Sequence, residues 1–379
     1  MTANIPLSSP DITEAEIEAV TAVMRTNSLS LGPKLEEFED SLAAIHSMPH
    51  AIAVSSGTAA LHLAIRALNI RDGDEVIVPS FTFIAVANAV TYERATPVFV
   101  DIDPATLNMN PECVEAAITP RTRAIIVVHT FGVPAEMAAL MSIAHRHHLA
   151  VIEDACEAIG ATYNDQRVGG FGDVSIFAFY PNKQITTGEG GAVLARDEKI
   201  ANRIRALRNQ GRYPSSGWLQ HNEICYNYRL SEIACALGLV QLSRLDDILK
   251  QRAQVALRYD RLLASVNNIE RPPLALPSRS ISWFVYVVRL AAHLGSDARD
   301  KILTAMQEHG IGCARYFAPV HLQPAYGNAS SAQRAILPVT ESIAKLTLAL
   351  PFFNRLSDSD ARRVAEALAS AMEAVAKSS

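Results

Sequence analysis

The chain of 379 residues predicts an α/β fold, a mostly parallel sheet between helices followed by a small α+β domain. Three observations carry this. Short apolar runs alternate with helical stretches from residue 50 onward, the alternation stops near residue 250, and a Pro-rich "RPPLALP" then introduces a different order of elements. A chain this long rarely closes around one core, so a large domain over 1–250 and a small one over 251–379 are expected.

Thr13 and Glu16 have capping-box spacing before "IEAVTAVMR", which starts a helix near residue 13. The polar turn "TNSLSLGPK" leads to a second helix through "LEEFEDSLAAIH". Six runs, "AIAVS", "EVIVPS", "TPVFVDI", "AIIVVHTFG", "LAVIEDA" and "VSIFAFY", read as strands, with helices over 59–68, 134–147 and 199–207 among them. Continuous apolar runs suit a parallel sheet buried on both faces. Ser231 is placed to cap one long helix, "EIACALGLVQLSRLDDILKQRAQVALRYDRLL". Beyond it come a strand in "SWFVYVVRLA", a helix over 297–309, a strand in "LTLALP" and a terminal amphipathic helix over 358–375.

Composition is that of a folded globular chain, 49% hydrophobic and 19% charged, so disorder is expected only at the ends. The net charge of −5 provides no general field for nucleic acid or an anionic membrane, and neither is expected as a partner. A phosphate-bearing ligand must then be held by local groups. Five cysteines without C-x-x-C spacing predict reduced thiols. With no leader-like segment and no apolar run of about 18 residues, a soluble, cytoplasmic protein is expected. "HRHHL" sets His145 and His148 on one helix face, but no carboxylate or cysteine pattern accompanies them and no metal is expected.

Three motifs carry chemistry. In "SSGTAALHLAIRAL" a strand ends and a helix opens at once, so the amides of Gly57, Thr58 and Ala59 point outward with the positive end of the helix dipole. That makes either a phosphate seat or a plain capped turn. In "VIEDACEAIGA" Asp154 ends an apolar strand, where open α/β sheets bind ligands, while Glu153 faces the other side; an acid there also suits helix capping. In "FAFYPNKQITTGEGGAV" Lys183 stands between an aromatic run and a Gly-rich loop. A lysine alone is most often a surface residue. Anion seat, sheet-end carboxylate and sequestered amine, in that order, are the three anchors that pyridoxal 5'-phosphate requires.

The chain resembles the DegT/DnrJ/EryC1/StrS family of sugar aminotransferases, within the fold-type I pyridoxal-phosphate enzymes. The resemblance runs through "LSLGPKLEEFE", "SSGTAALHLA", "DEVIVPSFTFIAVANAV", "PVFVDID", "VIEDACEAIGA", "FYPNKQITTGEGG", "LRNQGR" and "YNYRLSEIACALGLVQL". It implies that Lys183 is the cofactor-bearing lysine that also carries the proton of the 1,3-shift. Asp154 is implied as the partner of the pyridine nitrogen, Gly57 and Thr58 as phosphate donors, and Phe83 as the ring stacked on the cofactor. Asn227 resembles the asparagine that reaches the phosphate from the neighbouring subunit, which implies a homodimer with its active site at the interface. Tyr316 and His321, in "RYFAPVHLQPAY", are implied near the substrate, with a packed small-domain loop as the alternative; Arg229 and Arg212 suit either bidentate contact with a diphosphate or pairing with the chain's acids.

Two positions depart from the family's habit. Ala178 stands where a phosphate-binding serine is common. Glu157 stands where many members carry glutamine or histidine near the cofactor's phenolic oxygen, as is familiar in relatives such as perosamine synthases that aminate C4 of nucleotide-linked 4-keto-6-deoxy sugars. The resemblance thus implies transfer of an amino group from L-glutamate to a nucleotide-linked ketosugar at C4. A 3-keto-sugar or scyllo-inosose aminotransferase, or a non-catalytic regulator of the same fold, is the alternative. Lys183 itself argues against the dehydratases of this fold, which carry histidine in its place.

Overall fold

The computed structural model describes residues 4–213, 217, 219–295, 297–327 and 335–378. Its main sheet contains β1 (His50–Val54), β2 (Glu75–Pro79), β3 (Thr96–Val100), β4 (Thr122–Val128), β5 (Ala150–Asp154), β8 (Val174–Ala178) and β9 (Gly191–Ala195), in the order β1-β9-β8-β5-β4-β2-β3. Neighbours pair in parallel except for β9, which runs antiparallel to both β1 and β8. Two-residue ladders β6 (Thr162–Tyr163), β7 (Gln166–Arg167) and β11 (Arg279–Ser280) form a separate ribbon. A third sheet joins β10 (Ile269–Glu270), β12 (Tyr286–Leu290) and β13 (Thr347–Leu350).

Helices cover both faces of the main sheet, which is why its strands read as unbroken apolar runs. On one face Ile52, Val76, Ile126 and Ile152 pack against the helices Gly57–Ala67, Ala85–Tyr92 and Glu198–Arg208. On the other, Ala53 and Phe177 meet the helix Pro33–Ile45, and Ile125 and Val151 meet the helix Met137–His147. A second core gathers β12 and β13 with the helices Leu245–Leu262, Ala298–Glu308 and Asp358–Ser378. Ile5, bridged to Ile311, is part of that second core, so the amino end is tied to the carboxyl-terminal third.

The first helix begins after Thr13 with the expected reciprocal capping by Glu16. Ser231 caps its helix by accepting from Ala234 N at 3.2 Å. That helix is not the single long rod expected. It ends at Ser243, and a second begins at Leu245 across Arg244, whose ψ of 3° turns the axis. Arg244 is held there by Asp11 and Glu16, a tertiary contact invisible in local propensity. No helix among the described residues is long and apolar enough to cross a membrane.

Candidate active site

At the carboxyl end of β1 the chain turns at Ser56 into the helix Gly57–Ala67, a junction whose first amides have no partner within the helix. Ser56 Oγ accepts from Ala59 N at 3.1 Å. The Ala59 amide, expected to point outward, is therefore spent on the cap, and the amides of Gly57 and Thr58 are left without an acceptor among the described residues. Two close approaches shape this turn. A Cβ on Gly57 would lie 2.7 Å from Ala178 Cβ, and one on Gly191 would lie 2.5 Å from the carbonyl of Ser56. The glycine at 191 thus lets the antiparallel β9 pass directly against the turn.

Asp154 closes β5 at the same end of the sheet and accepts from Cys156 N at 3.0 Å. Glu153 faces away, as strand alternation requires. It is wholly buried and accepts from the amides of Gly169, Phe171 and Gly172, from Ser175 Oγ and from His129 Nε2. His129 Nδ1 in turn accepts from Ala135 N, which leaves Nε2 to carry the proton toward Glu153. Burial pushes the Glu153 carboxyl up, but these donors outweigh it and hold it below the usual range.

Lys183 leaves the Tyr180–Lys183 turn with Nζ 3.6 Å from Glu157 Oε1 and 4.1 Å from the centre of the Phe284 ring. Its side chain is 14% exposed, so this amine is sequestered rather than solvated. Glu157 is fixed by its other oxygen, which accepts from Phe131 N at 2.9 Å. Burial raises the Glu157 carboxyl against the opposing pull of Lys183. The wall is built by distant chain. Gln184 Nε2 reaches Glu157 O at 2.6 Å and Ser282 Oγ at 2.9 Å, and the buried Arg252 donates to the carbonyls of Trp283 and Phe284. Burial lowers the Arg252 guanidinium to about 9.

These groups border one cavity of about 490 Å³. Of the residues singled out in the sequence, Gly57, Thr58, Phe83, Asp154, Glu157, Lys183 and Tyr316 line it together. Phe83 is 62% exposed, a ring presented to the cavity mouth rather than packed in the core. The other predicted residues, besides Ala59, stand elsewhere, and Arg212 borders a separate hollow with Gln210 and Glu223. Asn227 is exposed and bridges to Asn209, and Arg229 donates to Asn209 Oδ1 at 2.9 Å. His321 is buried between Ser80 Oγ at 2.6 Å and Glu341 Oε1 at 3.3 Å. Reading the sequence missed Ser56, Cys156, Phe284 and Arg315. Ser56 was readable as an N-cap before "GTAALHL"; Phe284 and Arg315 join the cavity only through tertiary folding and leave no local signal.

The cavity suits pyridoxal phosphate on its own geometry. Two unaccepted amides at a helix N-terminus, in a cradle that a Cβ at 57 would narrow, match an anionic ester, and an acid and an amine face the same space. The fold is that of pyridoxal-phosphate-dependent aminotransferases. Spr1654 of Streptococcus pneumoniae superposes in its PLP form with a TM-score of 0.92 at 29% identity, covering 98% of this chain and 99% of that one. Its PMP form gives 0.93, covering 99% of each.

The chain matches the DegT/DnrJ/EryC1/StrS aminotransferase family over residues 10–369 and belongs to it. Among curated relatives, the spore coat polysaccharide biosynthesis protein SpsC of Bacillus subtilis is 39% identical over 374 residues, 96% of each chain. GDP-perosamine synthase of Caulobacter vibrioides is 41% identical over 367 residues, 96% of this chain and 97% of that one. The protein is a sugar aminotransferase dependent on pyridoxal phosphate.

Proposed function

We propose that the protein moves an amino group from L-glutamate to C4 of a nucleotide-linked 4-keto-6-deoxy sugar. The observation that carries the site reading is the sequestered amine of Lys183, on one cavity with the Gly57 turn and Asp154. The sugar class is supported by the Caulobacter relative's name and by Glu157.

When bound, pyridoxal phosphate supplies an electron sink for the carbon that exchanges nitrogen. The amides of Gly57 and Thr58 would hold its phosphate, Phe83 would cover its ring, and Glu157 would face its phenolic side. Asp154 would keep a proton on the pyridine nitrogen by lending it a negative charge. Lys183 Nζ takes the α-proton of the donor, and in the second half-reaction it returns a proton to the sugar carbon. Ala178 contributes no hydroxyl, so phosphate affinity rests on the turn and on Asn227 of the partner subunit. On this reading the active site lies at a homodimer interface, with Tyr316 on the substrate side and Arg229 beside Asn227, while His321 is taken up by Ser80 and Glu341. The same reading keeps 1–250 and 251–379 as two domains and the protein in the cytoplasm.

Mixing the loaded protein with L-glutamate tests this directly: the visible absorbance of the bound cofactor falls as the amino group is taken up. An unchanged spectrum would overturn L-glutamate as the donor. A panel of nucleotide-linked 4-keto and 3-keto sugars, together with scyllo-inosose, then fixes the acceptor; turnover of the 3-keto sugars or the inosose alone overturns the C4 assignment.

A further inference from the structure

Among the described residues, Lys183 and Arg315 are the two cations on the cavity wall, against the acids Asp154, Glu157 and Glu189. Both substrates of the proposed reaction are anionic, and a wall with three carboxylates repels them unless a cation receives them. Lys183 is committed to the chemistry. We infer that Arg315 receives an oxyanion of the substrate at the cavity mouth and so sets its affinity, an inference that rests on the proposed reading of the cavity.

The geometry of Arg315 supports this role. Its Nε donates to Asp300 Oδ1 at 2.9 Å, and the same oxygen accepts from Arg299 Nε at 2.9 Å. An isolated exposed pair of this kind contributes little to stability. Asp300, bracketed by two guanidiniums, instead serves as a tether that aims Arg315. Among the described residues no acceptor meets the terminal Nη groups of Arg315, whose side chain is 52% exposed. A guanidinium fixed through Nε presents its Nη edge to carboxylate or phosphate as a planar fork. Tyr316, the next residue, stacks on Phe284 with centroids 6.5 Å apart, and the face of Phe284 covers Lys183 Nζ. Arg315 therefore adjoins the ring wall that flanks the amine.

Two sources supply an oxyanion, the carboxylate of the amino-acid donor and the diphosphate of the activated sugar. Calorimetry with 2-oxoglutarate and with GDP, on the cofactor-free and the loaded protein, separates them. Arg315→Ala is expected to weaken one of the two ligands about 10- to 100-fold, as loss of a charge-assisted hydrogen bond does. In single-turnover absorbance the half-saturating concentration of the matching substrate rises while the limiting rate holds. Loss confined to 2-oxoglutarate assigns the carboxylate, and loss confined to GDP assigns the diphosphate. Both ligands binding within twofold of the unmodified protein overturns the inference. Should Arg315→Ala fail to fold, Arg315→Lys decides: it keeps the charge but not the fork, and undiminished affinity in it likewise overturns the inference. Borohydride that still fixes the cofactor covalently to the chain in Lys183→Ala would instead defeat the underlying reading of the cavity, whatever Arg315 does.

Discussion

Glu153 and Asp154 are chain neighbours with opposite environments, and each predicts a different loss. Glu153 is buried under hydrogen bonds from three amides, a hydroxyl and His129. Glu153→Ala would strand those donors and cost about 3–5 kcal/mol of unfolding free energy, read by urea titration. Asp154 faces the cavity, so Asp154→Asn should leave stability nearly unchanged while slowing amino transfer. Lys183→Ala should abolish both the borohydride-reducible covalent attachment of the cofactor and the reaction; a variant that still forms that attachment through this site would refute the assignment. Acid sensitivity has a named contributor. Burial pushes the Glu16 carboxyl up, but hydrogen bonds from Thr13, Gln241 and Arg244 more than offset this and hold it to about 2. A depressed carboxyl contributes stability that is full above its unfolded value, about 4.3, and is lost as pH falls through its folded value. Glu16→Gln should therefore flatten the stability profile between those two values.

Among the elements, the phosphate-side turn shows what sequence alone discloses. β1, β2, β4, β5 and β8 were legible as apolar runs because burial on both faces demands them. β9, "GAVLA", was not, since its glycine and alanines answer to the close approach at Ser56 rather than to strand propensity. Its antiparallel direction has no local signature at all. That Gly57, Asp154 and Lys183 share one cavity could be anticipated because their motifs set each at or a few residues beyond the end of a main-sheet strand, where open α/β sheets bind ligands. His321, in contrast, came from resemblance only, and its bonds to Ser80 and Glu341 show how a polar residue near a site can be consumed in packing. The turn yields its own prediction. Ala178→Ser sets a hydroxyl beside Gly57 and should tighten cofactor binding about tenfold, measured by fluorescence titration, as an added bond to a charged group does. Gly191→Ala should weaken it, because the new methyl meets backbone that cannot retreat.

At the scale of the whole molecule, the proposed homodimer can be checked without a complex structure. Sedimentation should give twice the chain mass. If Asn227 serves the partner's site, mixing Lys183→Ala with Asn227→Ala should produce hybrids with one intact site and activity above the sum of the separate variants. No gain on mixing would put Asn227 at its own subunit's site or at none.

The far wall of the cavity also imposes an order on biosynthesis. Phe284 follows Lys183 by about a hundred residues, so at about 5–20 residues per second a nascent chain displays the lysine for several seconds before its cover exists. On the proposed assignment, capture of vitamin B6 waits until the ribosome has passed that later segment. A product truncated before it would carry nothing more than an ordinary solvated amine.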